Sequence, residues 1–144
     1  MSASAWVLPL HDGSRVAVGE SELVHLLDAE PALFPIPFGE RPIADLLLWE
    51  GNPTPVADLV RDRGAQTRGR LIAIVAFDPS GAGAAEHGAI RITAAPRRTQ
   101  VEDVDAAPAA EVPEGLVRYA HAAFRDGAGV VPVLDLHAVF GPPA

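Results

Sequence analysis

Two residue types, cysteine and lysine, are missing from this chain, and each absence excludes some classes of site or partner. Without cysteine, the 144 residues offer no disulfide, no thiolate metal site and no cysteine nucleophile. Without lysine, arginine supplies all of the side-chain positive charge, and the formal net charge is −8 with histidine neutral. Because phosphate groups are bound by positive fields, this balance predicts no nucleic-acid partner.

Long hydrophobic segments are also absent. The longest apolar runs, such as Leu71–Phe77, are far shorter than the roughly 20 residues that span a bilayer. The first residues have neither the basic region nor the apolar core of a signal peptide. The sequence therefore predicts a cytoplasmic protein without membrane insertion, and its 49% hydrophobic content suffices for a packed core.

The motifs of common enzyme classes do not occur. The five histidines are not spaced as metal ligands, and Gly81 and Gly83 are not followed by the Gly-Lys-Ser/Thr of a phosphate loop. There is no Gly-x-Ser-x-Gly motif of a serine hydrolase. We therefore predict no catalytic residue, no bound metal and no cofactor.

Short strands joined by Gly/Pro turns dominate the pattern. Apolar residues alternate on both sides of a turn at 11–14, which predicts an N-terminal hairpin. Residues 21–27 are predicted as a short helix with Ser21 as its N-cap. The strands predicted after it are Ile43–Trp49, Thr54–Ala57, Leu71–Phe77, His87–Ala94, Leu116–Phe124 and Val130–Leu134. Many short strands at this spacing are typical of a β-barrel or sandwich.

One sequence motif, Pro-Val-x-Asp-Leu, occurs twice, at Pro55–Leu59 and Pro132–Leu136, with an offset of 77 residues. Each copy follows an aromatic residue and a turn, and aligning Gly51 with Gly127 leaves one extra residue before the second proline. A repeat of this length is a supersecondary unit used twice, so we predict two similar lobes packed on each other. The aspartate of each copy is predicted to cap a following helical turn rather than to act as a catalytic carboxylate.

Six segments carry a family resemblance: Phe34–Pro37, Pro42–Gly51, Pro55–Leu59, His87–Ile90, Thr99–Val104 and Val130–Phe140. Together they resemble CheW-like domains, which occur in bacterial chemotaxis coupling proteins and in the regulatory domain of their histidine kinases. The resemblance covers residues 5–141 and implies a single CheW-like domain. It implies a mainly-β fold, in which two small five-stranded SH3-like β-barrels pack as repeated lobes with short helical turns.

The resemblance also implies a function. By it, the protein is a non-enzymatic signalling adaptor that couples chemoreceptors to a CheA-type histidine kinase. It would dock on the regulatory domain of the kinase and on a methyl-accepting receptor. Flagellar chemotaxis and the control of type IV pili both remain open. The implied interaction residues are Val24, Asp45, Glu50, Val56 and Asp58.

Three residues depart from the family pattern. The family usually carries Gly at the position of Asp45, Arg at Glu50 and Asp at Arg91. An exposed Glu50 would reverse a charge at a docking surface, and a reversed charge excludes some partners. The alternative is a solvated turn residue without a role, or one paired with Arg41 or Arg61.

A second class of function stays open, a small-ligand-binding β-barrel or barrel-type enzyme that uses the cleft between the lobes. A large closed pocket with converging polar groups would favour it, whereas flat apolar edges would favour the adaptor. The core is predicted from the residues that lie on apolar strands. The residues predicted to be buried are Leu46, Leu48, Val56, Phe124 and Leu134.

Overall fold

The computed structural model describes residues 2–10, 12–27, 33–36, 43–59, 71–78 and 85–141, most of which form strands. The strands are β1 (Ser2–Pro9), β2 (Arg15–Gly19), β3 (Leu23–Leu27), β4 (Phe34–Pro35), β5 (Ile43–Trp49), β6 (Asn52–Ala57), β7 (Leu71–Phe77), β8 (Glu86–Ile92), β9 (Arg97–Glu102), β10 (Ala120–Asp126) and β11 (Gly129–Leu134). Single 3-10 turns cover Asp103–Asp105, Ala109–Glu111 and Val117–Tyr119, and the short helix α1 (Leu136–Phe140) follows β11. The mainly-β prediction is confirmed.

The strands form two sheets, which we call lobe 1 and lobe 2. Lobe 1 has the order β3-β7-β8-β6-β5-β4, and lobe 2 has the order β10-β11-β2-β1-β9. The N-terminal hairpin therefore completes the lobe that the C-terminal strands build. With β4 left aside, the order β5-β6-β8-β7-β3 matches lobe 2 strand by strand. The predicted two-lobe β fold is confirmed, while closure into SH3-like barrels and a single domain over residues 5–141 stay predictions.

The repeated hairpins β5–β6 and β10–β11 share one register. Leu47 pairs with Thr54 as Phe124 pairs with Val131, and every other pair is likewise related by the offset of the repeat. Even the bulge near the start of the first strand recurs at the same place. The alignment of Gly51 with Gly127, which required an extra residue, is therefore wrong. Phe124 corresponds to Leu47 and not to Trp49, because strand register rather than residue type relates the two copies.

The valine of each motif copy makes the same long-range contact. Val56 pairs in parallel with Ala89 of β8, and Val133 pairs in parallel with Ala17 of β2. Each parallel pair joins a repeated hairpin to the hairpin that completes its lobe. The two copies of the motif thus occupy equivalent positions in the two sheets.

Alternation along the strands produces three hydrophobic clusters. The largest combines buried residues of both lobes, among them Leu8, Val18, Ile90 and Leu134, and so lies between them. Full burial of each such side chain stabilises the fold by about 1.5–3 kcal/mol. The interior cluster of lobe 1 contains Leu47, Val56, Ile72, Ile74 and Ala89, and that of lobe 2 contains Ala5, Val7, Ala17, Phe124 and Val131. The central strands are therefore buried on both sides.

Two predicted elements differ from the structure. The segment after Ser21 is not a helix but β3, which pairs antiparallel with β7. The turn before it is held by Glu22, whose carboxylate accepts a hydrogen bond from Gly19 N at 2.7 Å. The strand predicted from Leu116 begins only at Ala120, after a 3-10 turn. Periodicity over so few residues does not separate helix from strand, and pairing with remote segments decides between them.

The helical turn after the second motif copy begins as predicted. The Asp135 carboxylate accepts hydrogen bonds from the backbone N–H groups of His137 and Ala138, at 3.1 and 3.4 Å. These bonds satisfy donors that the first turn of a helix leaves free, so Asp135 is the N-cap of α1. The corresponding turn after Asp58 falls mainly outside the described residues.

The predicted core is right for three of its five residues. Val56, Phe124 and Leu134 are between 0% and 3% exposed, whereas Leu46 is half-buried. Leu48 is 61% exposed, so its predicted burial is wrong. It lies on the outer side of β5, opposite to the interior cluster of lobe 1 that contains Leu47.

Candidate protein-docking site

An exposed apolar surface lies on the outer side of β4 and of the β5–β6 hairpin. Residues paired across strands share a side, and the side alternates along each strand. Leu47 and Thr54 are buried inside lobe 1, so their neighbours point outward. We call the outward set the apolar face, and its members are Phe34, Leu46, Leu48, Pro53 and Pro55. Phe34 is 53% exposed.

The matching surface of lobe 2 is covered by the chain itself. There, Ala107 N donates to Ala123 O at 2.9 Å, and the segment that follows lies along β10. The counterpart of Leu48 is Arg125, whose guanidinium bonds the carboxylate of Glu111 in that segment. Within the described part of lobe 1, the corresponding cover is only the two-residue strand β4. Among the described residues, one lobe thus covers this surface, whereas in the other lobe Phe34 and Leu48 stay largely exposed.

The β5–β6 hairpin ends in a two-residue turn with both residues in the left-handed region. Glu50 has φ 51° and Gly51 has φ 79°, as a type I′ turn requires. Glycine adopts this conformation freely, whereas a residue with a Cβ loses about 1 kcal/mol there. The Glu50 side chain is exposed at the tip, close to Leu48. Its predicted pairing with Arg41 or Arg61 lies outside the described residues.

At the same end of lobe 1, Trp49 lies between two histidines. Its ring centroid is 5.1 Å from that of His87 and 6.3 Å from that of His25. The three side chains come from β5, β8 and β3, and Trp49 packs against the interior cluster of lobe 1. They therefore close this end of the lobe with an aromatic layer.

Lobe 2 carries an ionic arrangement at the matching position. Asp126 corresponds to Trp49, and the guanidinium of Arg15 binds its carboxylate through two hydrogen bonds of 2.5 and 2.8 Å. By their strand pairings, Arg15 corresponds to His87 and Arg97 to His25. The hydrogen bonds from Arg15, with the nearby charge of Arg97 as a smaller cause, lower the pKa of Asp126 to about 2.

A groove of about 520 Å³ runs beside the apolar face, between the β5–β6 hairpin and α1. Its lining includes Trp49, the two prolines of β6 and Phe140 of α1. The ring of Phe140 stacks on Phe77 with 5.8 Å between centroids. Gly88 allows this approach, because a Cβ at its position would lie 2.6 Å from the Phe140 ring. Since the β6 prolines belong to both, the groove and the apolar face form one continuous surface.

The five predicted interaction residues lie in different environments. Glu50 is exposed at the hairpin tip, and Val24 on β3 is 45% exposed. Asp58 is half-buried directly after β6. Val56 is 1% exposed inside lobe 1, so its side chain is not part of the exposed surface, and its role as an interaction residue stays a prediction. Asp45 points into lobe 1.

Two of the departures from the family pattern form a pair inside lobe 1. The Asp45 carboxylate lies 3.8 Å from the guanidinium of Arg91, and Arg91 is only 8% exposed. The Nε atom of Arg91 has no hydrogen-bond partner among the described residues. A buried cation of this kind depends on its acid. In the structure, Asp45 thus contacts the interior of lobe 1, and its role toward a partner stays a prediction.

Most of the docking surface was not among the predicted site residues. Leu46 and Leu48 alternate with Leu47 and Trp49, and this alternation does separate the two sides of β5. It does not tell which side the second lobe covers. The exposure of Phe34 could not be predicted from alternation either, because its strand has only two residues and shows no periodicity.

The two-lobe arrangement is that of CheW-like proteins. Among solved structures, the scaffolding protein TtCheW from Thermoanaerobacter tengcongensis matches with a TM-score of 0.73 at 14% sequence identity. The match covers 100% of this chain and 98% of that chain. No family model and no curated protein matches the sequence. The comparison shows that the chain has a CheW-like fold, as the resemblance predicted.

Across the described ranges, no helix is long and apolar enough to cross a membrane. Nor do three or more His, Asp or Glu side chains come together there in a group that would hold a metal ion. The strongest site feature in the described part of the chain is thus the apolar face with its groove.

Proposed function

We propose that this protein is a non-enzymatic adaptor that couples chemoreceptors to a CheA-type histidine kinase. The observation that carries the proposal is the apolar face, on which Phe34 and Leu48 are 53% and 61% exposed. Large apolar side chains grouped on one surface are typical of protein-binding sites. TtCheW, which shares the fold, is described as a scaffolding protein, and this agrees with such a role.

The apolar face is the proposed site for the regulatory domain of the kinase. In lobe 2, the surface that corresponds to the apolar face is covered by the segment after Ala107. The fold therefore contains a segment that packs on a surface of this kind. A partner domain with a similar fold can supply that cover from outside. Phe34 and Leu48 would then be the anchors at the centre of the interface, where truncation costs the most affinity.

The groove is the proposed site for a receptor tip. Trp49, Phe77, Phe140 and the β6 prolines give it an apolar lining, while Glu86 is exposed at its edge. An apolar floor with a polar rim fits the helix-in-groove mode of recognition. Both lobes contribute to it, so a bound helix would contact the two lobes together.

The ligand-binding alternative would use the same groove. Its volume lies within the range of small-molecule sites, roughly 300–1,000 Å³. However, three of its polar lining residues, Asn52, Glu86 and His87, are exposed and do not converge in a closed pocket. The fourth, Thr54, is buried, and its hydroxyl donates to Asn52 O at 3.2 Å. This geometry favours a protein segment over a small ligand.

The test is a calorimetric titration with the regulatory domain of a CheA-type kinase from the same cell. Leu48→Asp places a charge at the centre of the proposed interface and is expected to weaken binding at least 10-fold, or about 1.4 kcal/mol. Val117→Asp is the matched control, since Val117 is a 44% exposed valine of lobe 2. Equal affinity of both variants, with the fold intact, would reject the apolar face. Absence of binding by the unaltered protein would reject the proposed function.

A further inference from the structure

Lobe 2 contains a second groove, of about 370 Å³, which shares no lining residue with the apolar face. It lies at the end of the lobe opposite to Asp126. Its walls are apolar and its rim is acidic. The wall residues include Ala3, Val101, Ala122 and Val133, and the rim residues are Glu102 and Asp103.

The internal repeat explains why the groove exists. Ala122 faces Val133 in lobe 2 as Asp45 faces Val56 in lobe 1. In lobe 1 this end of the interior holds the Asp45 carboxylate and the guanidinium of Arg91. In lobe 2 both charged side chains are missing, because Ala122 replaces the acid and Gly19 stands at the position of the arginine, two residues after the parallel pair.

The rim of the groove carries carboxylates in a fixed geometry. Asp105 accepts a hydrogen bond from Glu102 N at 2.9 Å, and the Glu102 side chain in return accepts from the backbone of Asp105. This reciprocal capping holds the 3-10 turn that contains Asp103. Val104 at the same turn is 86% exposed, which adds an apolar contact beside the acids.

We propose that this groove is a second docking site, and that its occupant is a partner segment that inserts an arginine side chain. The apolar walls fit the three-methylene stem of arginine, and the rim carboxylates fit its guanidinium. Lobe 1 supplies the precedent, since Arg91 from the chain itself fills the equivalent space there. The net charge of −8 favours a cationic partner over an anionic one. Because the site lies on lobe 2, its test does not depend on whether the apolar face binds the kinase.

The experiment uses the full ¹⁵N-labelled protein and the tripeptide acetyl-Ala-Arg-Val-amide as the probe. Its expected dissociation constant is on the order of 1 mM. The amide signals that shift are expected to be those of Ala3, Val101 and Ala122, whose residues line the groove. The matched peptide with citrulline in place of arginine keeps the shape without the charge and is expected to bind about 10-fold more weakly.

Two kinds of variant separate the groove from non-specific attraction. Ala122→Arg fills the groove with the protein's own guanidinium and is expected to abolish peptide shifts, whereas Ala138→Arg on the exposed side of α1 is expected to retain them. Glu102→Gln combined with Asp103→Asn keeps the backbone geometry and is expected to weaken binding several-fold, so the test does not depend on Ala122→Arg folding. Equal binding of the arginine and citrulline peptides, or shifts outside the groove, would overturn the proposal.

Discussion

Trp49 and Asp126 occupy the same position in the two lobes, and each interacts with side chains from corresponding strands, β8 and β3 for Trp49 and β2 and β9 for Asp126. In lobe 1 the neighbours are histidines, and in lobe 2 they are arginines. The same place in the fold is thus closed by aromatic contacts in one lobe and by an ion pair in the other. The ion pair of lobe 2 makes the stability of the fold depend on pH.

The ion pair predicts a loss of stability in acid. The pKa of Asp126 falls from its ordinary 3.8 to about 2 in the folded protein. A lowered carboxyl pKa stabilises the fold above the unfolded value, and this contribution disappears as the pH falls from about 4 to 2. Because the pair is partly exposed, we expect it to be worth about 1 kcal/mol. Urea unfolding of the unaltered protein and of Asp126→Asn should therefore differ at pH 7 and converge near pH 2. A difference that does not change with pH would contradict this account.

The buried pair in lobe 1 predicts non-additive mutations. Asp45→Ala leaves the Arg91 guanidinium without its acid, and we expect a loss of about 2 kcal/mol in the free energy of unfolding. Arg91→Met keeps the apolar stem and removes the charge, so it should cost less. In the double variant, Asp45→Ala should cost almost nothing further. Chemical denaturation of the four proteins gives the coupling energy, and strict additivity would show that the two side chains do not interact.

The hairpin tip predicts a stabilising substitution. Glu50 has a positive φ, which asparagine tolerates better than glutamate. Glu50→Asn should raise the free energy of unfolding by about 0.5–1 kcal/mol, since the type I′ turn favours Asn-Gly. Glu114→Asn, at an exposed position of lobe 2, is the control and should not stabilise the protein. An unchanged denaturation midpoint for Glu50→Asn would mean that the turn is not strained.

The charge at the same tip predicts partner choice. Glu50→Arg restores the residue that the family pattern carries, at an exposed position beside Leu48. If the charge selects the partner, the affinity for the native kinase or for a receptor-tip fragment should change several-fold and depend on salt. Glu114→Arg makes the same charge change on lobe 2. Unchanged affinity for both partners would show that Glu50 is only a solvated turn residue.

The sequence was sufficient for the repeat but not for its details. The repeat is visible in Pro55–Leu59 and Pro132–Leu136, because identical residues recur there at one constant offset. The register of the hairpins could not be predicted from the sequence. The alignment relied on the aromatic residues and glycines near each turn, whereas the register depends on pairing between strands. The match of Phe124 with Leu47 became visible only from the strand pairs.

The candidate site was harder to predict than the fold. Alternation places Leu48 on the side opposite to Leu47, but coverage by the other lobe decides which side is buried. Val56 is a second example. The family resemblance implied that it contacts a partner, whereas its side chain is buried in the sheet. The pairing of Asp45 with Arg91 joins strands that are far apart in sequence, and nothing in either local pattern indicates it.

Binding to the regulatory domain of a CheA-type kinase tests the central claim most directly. We predict that the unaltered protein binds it with micromolar affinity, equivalent to about 8 kcal/mol. Leu48→Asp should lose that binding at least 10-fold while Val117→Asp keeps it. A protein that fails to bind the regulatory domain, or that binds it equally well after Leu48→Asp with its fold intact, would contradict the account.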